Sequence, residues 1–314
     1  IKSAAGNESQ LIAKISGLTS KSVILVGERL CESSGALSAT LALSQSSGAK
    51  LAWIPRRAGE RGALEVGAIG TLLPGGRPVN DASARVDMQS AWGVKSLPEN
   101  IGRTTSEIIE GLHNGDIDSL LVGGVDPLDI SADALVGFEK AFVVSLEMRH
   151  SAITEIANVI LPIAAVVEKS GSFLDWEGRA RAFEAAVDVP DLRSDVRILS
   201  MIADAMGESI MLGTVSATAR EIAQLGKWDG ARVAFAPVTP VAAKTIDTND
   251  ALLTSWRRLL DMGTLQKGED NLAGTRRPTV AVISAKRATS IGVTSVGNKP
   301  TNLYFLRVSP CLPN

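Results

Sequence analysis

Short apolar runs alternate with segments of helical periodicity through the first half of the chain. Ser22–Gly27 is an apolar run closed by glycine, the pattern of a buried parallel strand. Ala36–Ser47 spaces small and apolar residues for packing on a sheet, and Lys50–Ile54 is a second apolar run stopped by Pro55. That order predicts a βαβ unit. Strands are predicted again at Ser119–Val122, Ala141–Ser145 and Val159–Leu161, with helices over Thr105–Gly115, Ala132–Lys140 and Ser151–Ala157. Strands alternating with helices predict an α/β fold with a parallel, doubly wound, Rossmann-like sheet. Ligands of such sheets sit beyond the carboxyl ends of the strands. The loops to watch are therefore Gly27–Ser34, Gly123–Pro127, Ser145–Ser151 and the region Glu168–Arg179.

Elsewhere the pattern changes. Arg56–Arg103 carries Gly59, Gly62, Gly67, Gly70, Pro74, Gly75, Gly76 and Pro78, which predicts an irregular, loop-rich stretch. Ser194–Met206 is a predicted helix with Ser194 as N-cap and Gly207 beyond its end. Ser216–Leu225 is a second, followed by Gly226, and Asp250–Met262 a third, stopped by Gly263. Between the last two, Ala234–Lys244 holds Pro237 and Pro240 and reads as a linker. Arg277–Ile283 is a strand entering a β-rich end. The expected division is an α/β domain over 1–190, a helical connection over 191–269 and a partial β-rich domain over 270–314.

Composition narrows the functions. The 314 residues carry a net charge of −2, with neither a basic excess nor an acidic tail. Nucleic acid is therefore not an expected partner. The only cysteines are Cys31 and Cys311. An iron–sulfur cluster takes about four Cys ligands, so this chain alone holds no conventional cluster, and a zinc ribbon is excluded by the same count. The two thiols are expected to be free. No apolar run approaches the roughly 20 residues of a membrane-spanning helix. Starting at Ile1, without Met, basic n-region or apolar h-region, the chain is expected to be a piece of a longer protein and not to open with a signal peptide.

The candidate chemistry is sparse. Gly123-Gly124-Val125-Asp126-Pro127 ends a strand, and glycines there let backbone approach a phosphate or a neighbouring loop; the plainer reading is a tight turn before a helix. Gly27-Glu28-Arg29 lacks the GxGxxG fingerprint and reads as a solvated turn. His113 and His150 have no Ser, Cys or carboxylate at a triad spacing. No catalytic residue and no metal ligand is expected. Glu168-Lys169-Ser170-Gly171 and Trp176-Glu177-Gly178-Arg179 suit a buried, ion-paired loop that locks the sheet domain to its neighbour, with Glu168 pairing to Lys169 or Arg179.

The order from Phe142 to Arg181 resembles the molybdopterin oxidoreductase family, and within it the large iron–sulfur subunit of bacterial NADH:quinone oxidoreductase, respiratory complex I. Trp256-Arg257-Arg258-Leu259-Leu260-Asp261 and Gly274-Thr275-Arg276-Arg277-Pro278 look like its actinobacterial branch. Gly274–Ser284 with Ala288–Val293 is similar to the start of the family's C-terminal barrel, a match that weakens after Thr294, at Ser295–Pro300. The resemblance implies a structural part of the peripheral arm, without a catalytic centre of its own. The parent complex passes electrons from NADH through FMN and Fe–S clusters to quinone. Those clusters are expected in an N-terminal region outside this chain, the partners are other peripheral-arm subunits, and the place is the cytoplasmic face of the plasma membrane. The family places a nucleotide-contacting Gly–x–Asn–Pro-like turn where Asp126 stands for Asn here. The candidate pterin-facing positions are accordingly Gly123, Gly124, Asp126, Pro127, Glu168, Gly171, Glu177, Gly178 and Arg179, although bound molybdopterin is not expected. The alternative is the pterin-binding part of a molybdenum or tungsten bis-molybdopterin oxidoreductase, such as a formate dehydrogenase-like enzyme. A third reading is an independent binding module on a Rossmann-like sheet.

Overall fold

The computed structural model describes residues 8–131, 133–210, 214–233, 238–239, 241, 260, 263, 266–277, 280–291 and 303–307. The chain forms two compact units, Ile1–Ala251 and Leu252–Asn314.

In the first unit, α1 (Glu8–Ser16) precedes β1 (Val23–Gly27), α2 (Ala36–Ser47) and β2 (Lys50–Ile54). β1 and β2 pair in parallel, Val23 against Lys50 and Gly27 against Ile54. Gly48 ends α2 at φ +72°, donating to the Ser44 carbonyl, the left-handed cap that glycine adopts without strain. Only one face of β1 is sheltered: Val23 and Leu25 remain 55% and 65% exposed. The fully buried strand expected from its apolar run is thus half open.

The stretch Arg56–Arg103 is more ordered than its composition predicts. It folds into α3 (Glu60–Glu65), a short hairpin of β3 (Leu72–Leu73) and β4 (Arg77–Pro78), and α4 (Ala82–Trp92). Asp81 caps α4 by accepting from the Ala84 amide at 2.9 Å, and Gly93 closes it at φ +65°. Glycines and prolines crowd the turns around α4, but none falls between Asp81 and Gly93. Ala84 and Met88, one turn apart, form its buried face.

α5 (Thr105–Asn114) opens with a capping box: Thr104 accepts from the Glu107 amide while Glu107 accepts from the Thr104 amide. The Thr104 amide, donating to the carboxylate, is the main reason the Glu107 carboxyl sits below its ordinary range. β5 (Ser119–Gly123) follows, then α6 (Pro127–Ile130), which is not among the predicted helices, and α7 (Ala134–Phe138), a shorter helix within the one expected over Ala132–Lys140. Extended backbone at Ser131, φ −161° and ψ 161°, ends α6.

β6 (Phe142–Glu147), α8 (Ala152–Ile156) and β7 (Val159–Pro162) complete a three-stranded parallel ladder, β5–β6–β7. Ser119 lies against Phe142, Gly123 against Leu146, and Val144 against Val159. The five strands read as parallel are parallel, but they are hydrogen-bonded as two plus three. A single crossover helix brings successive strands together; the passage from β2 to β5 carries two helices and a hairpin before α5.

Leu112, Val122, Phe138, Val143 and Ile153 make the central cluster. Each large side chain wholly buried there stabilises by about 1.5–3 kcal/mol. The chain continues as an antiparallel hairpin, β8 (Gly171–Leu174) with β9 (Ala180–Phe183), then α9 (Asp195–Ala205) and α10 (Val215–Leu225). Ser194 caps α9 as expected, accepting from the Arg197 amide. Ile198 of α9 packs on Leu146 and Ile163, just beyond the carboxyl ends of β6 and β7.

The second unit holds α11 (Asp270–Gly274), β10 (Val280–Ser284), α12 (Ala285–Ser290) and β11 (Leu303–Arg307). β10 and β11 are antiparallel, Val280 against Arg307. Among its described residues there is one strand pair and no closed barrel. The expected helix Asp250–Met262, apart from Leu260, most of the Ala234–Lys244 linker, Ser295–Pro300 and Cys311 lie outside the described residues.

Candidate functional site

The first group of candidate residues lies where the expectation put it, at the carboxyl end of β5. Gly123 ends the strand and Gly124 turns the chain at φ +63°, its amide donating to the Leu146 carbonyl at 3.3 Å. No atom lies within 4 Å of where a Cβ on Gly124 would sit, so a side chain there is opposed by backbone conformation and not by space. Asp126 is the N-cap of α6, accepting from the Leu128 amide at 3.0 Å, and Pro127 occupies the first turn. A short acidic side chain followed by proline favours this geometry. It is the tight turn before a helix.

The second group is built on the β8–β9 hairpin. Phe173 and Phe183 stack with ring centroids 5.2 Å apart. Gly171 lies beneath the second ring, and a Cβ there would come within 2.7 Å of Phe183. The hairpin turn is organised by Asp175, whose carboxylate accepts from the Arg179 amide at 2.8 Å and lies 3.4 Å from Arg181. The Arg179 amide is the main reason the Asp175 carboxyl sits below its ordinary range. Gly178 takes φ +85° in this turn.

The ion pairs differ from those expected. Glu168 accepts from the Ala165 amide at 2.8 Å, holding the turn Val166–Glu168. Lys169 pairs with Asp195, in the first turn of α9, and Arg179 pairs with Glu177 at 2.9 Å. Both cations are engaged elsewhere, Lys169 by Asp195 and Arg179 by Glu177, so the pairing of Glu168 with Lys169 or Arg179 is corrected, and so is the expected burial of the loop, since Trp176–Arg179 is exposed. The locking role has a physical basis nonetheless. A Cβ on Gly62 of α3 would meet Leu174 at 3.6 Å, and one on Gly178 would come within 3.7 Å of the Arg61 guanidinium, so α3 lies beside the hairpin. The hairpin thereby lies against α3 on one side and is tied, through Lys169, to α9 on the other.

The remaining candidates have local roles. Glu28 pairs with Arg56 at 3.3 Å, tying the carboxyl ends of β1 and β2. The ring of His113 lies 3.0 Å from the Asp133 carbonyl, and His150 is exposed in the loop after β6. Cys31 is a free, exposed thiol. Among the described residues no group of three or more His, Cys, Asp or Glu side chains is placed to hold a metal ion. Also among them, no helix is long and apolar enough to cross a membrane.

Arg77 carries no signal in the sequence. It is 4% exposed and donates to Asp87 at 2.6 Å, to Pro74 O at 2.9 Å, to Leu225 O at 2.9 Å and to Gly226 O at 3.2 Å. Its guanidinium lies 5.7 Å from the Trp228 ring, and the Trp228 amide donates to the Gly75 carbonyl. The residue sews the end of α10 to the β3–β4 turn. The run Pro74-Gly75-Gly76-Arg77-Pro78 marks that turn in the sequence, but nothing in it names the partner.

A family model described as molybdopterin oxidoreductase matches residues 11–205. The G subunit of the NADH-quinone oxidoreductase of Mycobacterium tuberculosis is 46% identical over 280 residues, 87% of this chain and 35% of that protein. Its counterpart of the same name in Streptomyces coelicolor is 46% identical over 279 residues, 86% of this chain and 33% of that protein. A nitrate reductase of Symbiobacterium thermophilum is 32% identical over 149 residues, 46% of this chain and 20% of that protein. The chain spans about a third of the length of the Mycobacterium and Streptomyces relatives.

Proposed function

Because this chain belongs to the molybdopterin oxidoreductase family, we propose that it is a structural part of the large subunit of a proton-pumping NADH–quinone oxidoreductase, with no catalytic centre of its own. The observation that carries this reading is the 46% identity to the mycobacterial NADH-quinone oxidoreductase protein, sustained over 87% of the chain. Similarity to the nitrate reductase covers 46% of it at lower identity, which is why a molybdenum or tungsten enzyme stands second.

The polar groups of the candidate loops support the structural reading. Asp126 caps α6, Glu168 caps its own turn, Glu177 holds Arg179, and Asp195 holds Lys169. A molybdopterin dinucleotide would bring a pyrophosphate to the carboxyl end of β5. That turn carries the Asp126 carboxylate as the cap of α6, and a carboxylate facing a pyrophosphate is repulsive unless a cation intervenes. These residues do not fit the group, and no chemical step is assigned through it. In the parent complex, electrons would pass from NADH through FMN and Fe–S clusters to quinone along other parts of the large subunit and its neighbours. This part would hold the cluster-bearing region in place on the cytoplasmic face of the membrane, against other subunits of the peripheral arm.

The test is a substitution in the full-length protein within the intact complex. Gly171→Asp drives a side chain into the Phe183 ring. The expected result is less assembled complex, with unchanged NADH–quinone turnover per assembled complex. Normal assembly with lost turnover would overturn the proposal.

A further inference from the structure

We draw no further inference here: the strongest candidate, the open apolar faces of the parallel strands at Val23 and Leu25 of β1 and at Leu121 and Phe142 of β5 and β6, is an unpartnered sheet surface, and nothing in the structure shows what covers it.

Discussion

Arg77 and Leu225 stand 148 residues apart in the chain, and the guanidinium of one donates to the carbonyl of the other at 2.9 Å. The bond closes a long loop, and it satisfies a helix-end carbonyl that would otherwise need water. A buried guanidinium must be paired and hydrogen-bonded to be tolerated, and here one carboxylate and three carbonyls surround it.

Replacing Arg77 with Met removes the charge together with all four bonds and leaves the carbonyls without their donor. The expected loss is about 3 kcal/mol of unfolding free energy. Asp87→Asn removes only a pair whose carboxylate is half exposed, and should cost about 1 kcal/mol or less. Urea unfolding of both variants separates the two. Equal losses would mean that the ion pair, and not the carbonyl network, is what matters.

Gly171→Ala places a methyl group against the Phe183 ring. Overpacking of this kind costs about 1–3 kcal/mol. Phe183→Leu vacates the space, so the double variant should recover at least about 1 kcal/mol relative to the sum of the single changes. A strictly additive pair, measured by thermal unfolding, would show that the glycine is there for another reason.

Gly123 and Gly124 are neighbours with different needs. A Cβ on Gly123 meets the Leu146 side chain at 3.5 Å, an ordinary contact, and Gly123→Ala should change stability by less than about 0.5 kcal/mol. Gly124→Ala has open space but a left-handed backbone, and should cost about 1–2 kcal/mol. Gly123→Ala is therefore the clean probe of any ligand at this turn. Comparable losses at both positions in chemical denaturation would contradict the geometry.

The hairpin turn carries a pH dependence. Asp175 has a lowered carboxyl pKa, chiefly through the Arg179 amide. A group lowered in the folded state contributes stability that is complete above its unfolded value. That contribution is lost as pH falls through the folded one. Asp175→Asn keeps a neutral acceptor and removes the titration. The variant should be less stable than the parent at pH 7, and the gap should close on acidification below about pH 4. The turn lies at the surface, so the gap is small. Melting temperatures measured across that range check it, and a gap that widens on acidification would reverse the sign argued here.

Local signals were legible in the sequence where local physics decides. Lys50–Ile54 and Ala36–Ser47 have the bounds read from their apolar spacing, set by Pro55 and Gly48. The Ser194 cap and the Gly226 stop were equally plain. The helix Ala82–Trp92 was hidden because glycines and prolines of the flanking turns dominated the composition of its neighbourhood. The division of the parallel strands into β1–β2 and β5–β6–β7 depends on how distant segments meet, which no local period records. The Arg77 contacts with Leu225 and Gly226 were hidden for the same reason. At the candidate site, the turn at Asp126 was readable because an N-cap is a property of adjacent residues. The partners of Lys169 and Glu168 were misjudged because alternating charge along a loop does not say which neighbour lies across from each.

The central claim is that this part of the molecule is scaffold. Its most direct test is to purify the full-length parent complex and assay it for pterin and metal. Acid–iodine oxidation with fluorescence detection reports pterin, and elemental analysis reports molybdenum and tungsten. The account predicts neither pterin nor either metal in a complex that still oxidises NADH with quinone. Pterin in stoichiometric amount with molybdenum or tungsten would contradict it, and would make Gly123–Pro127 and Glu168–Arg179 the walls of an active site.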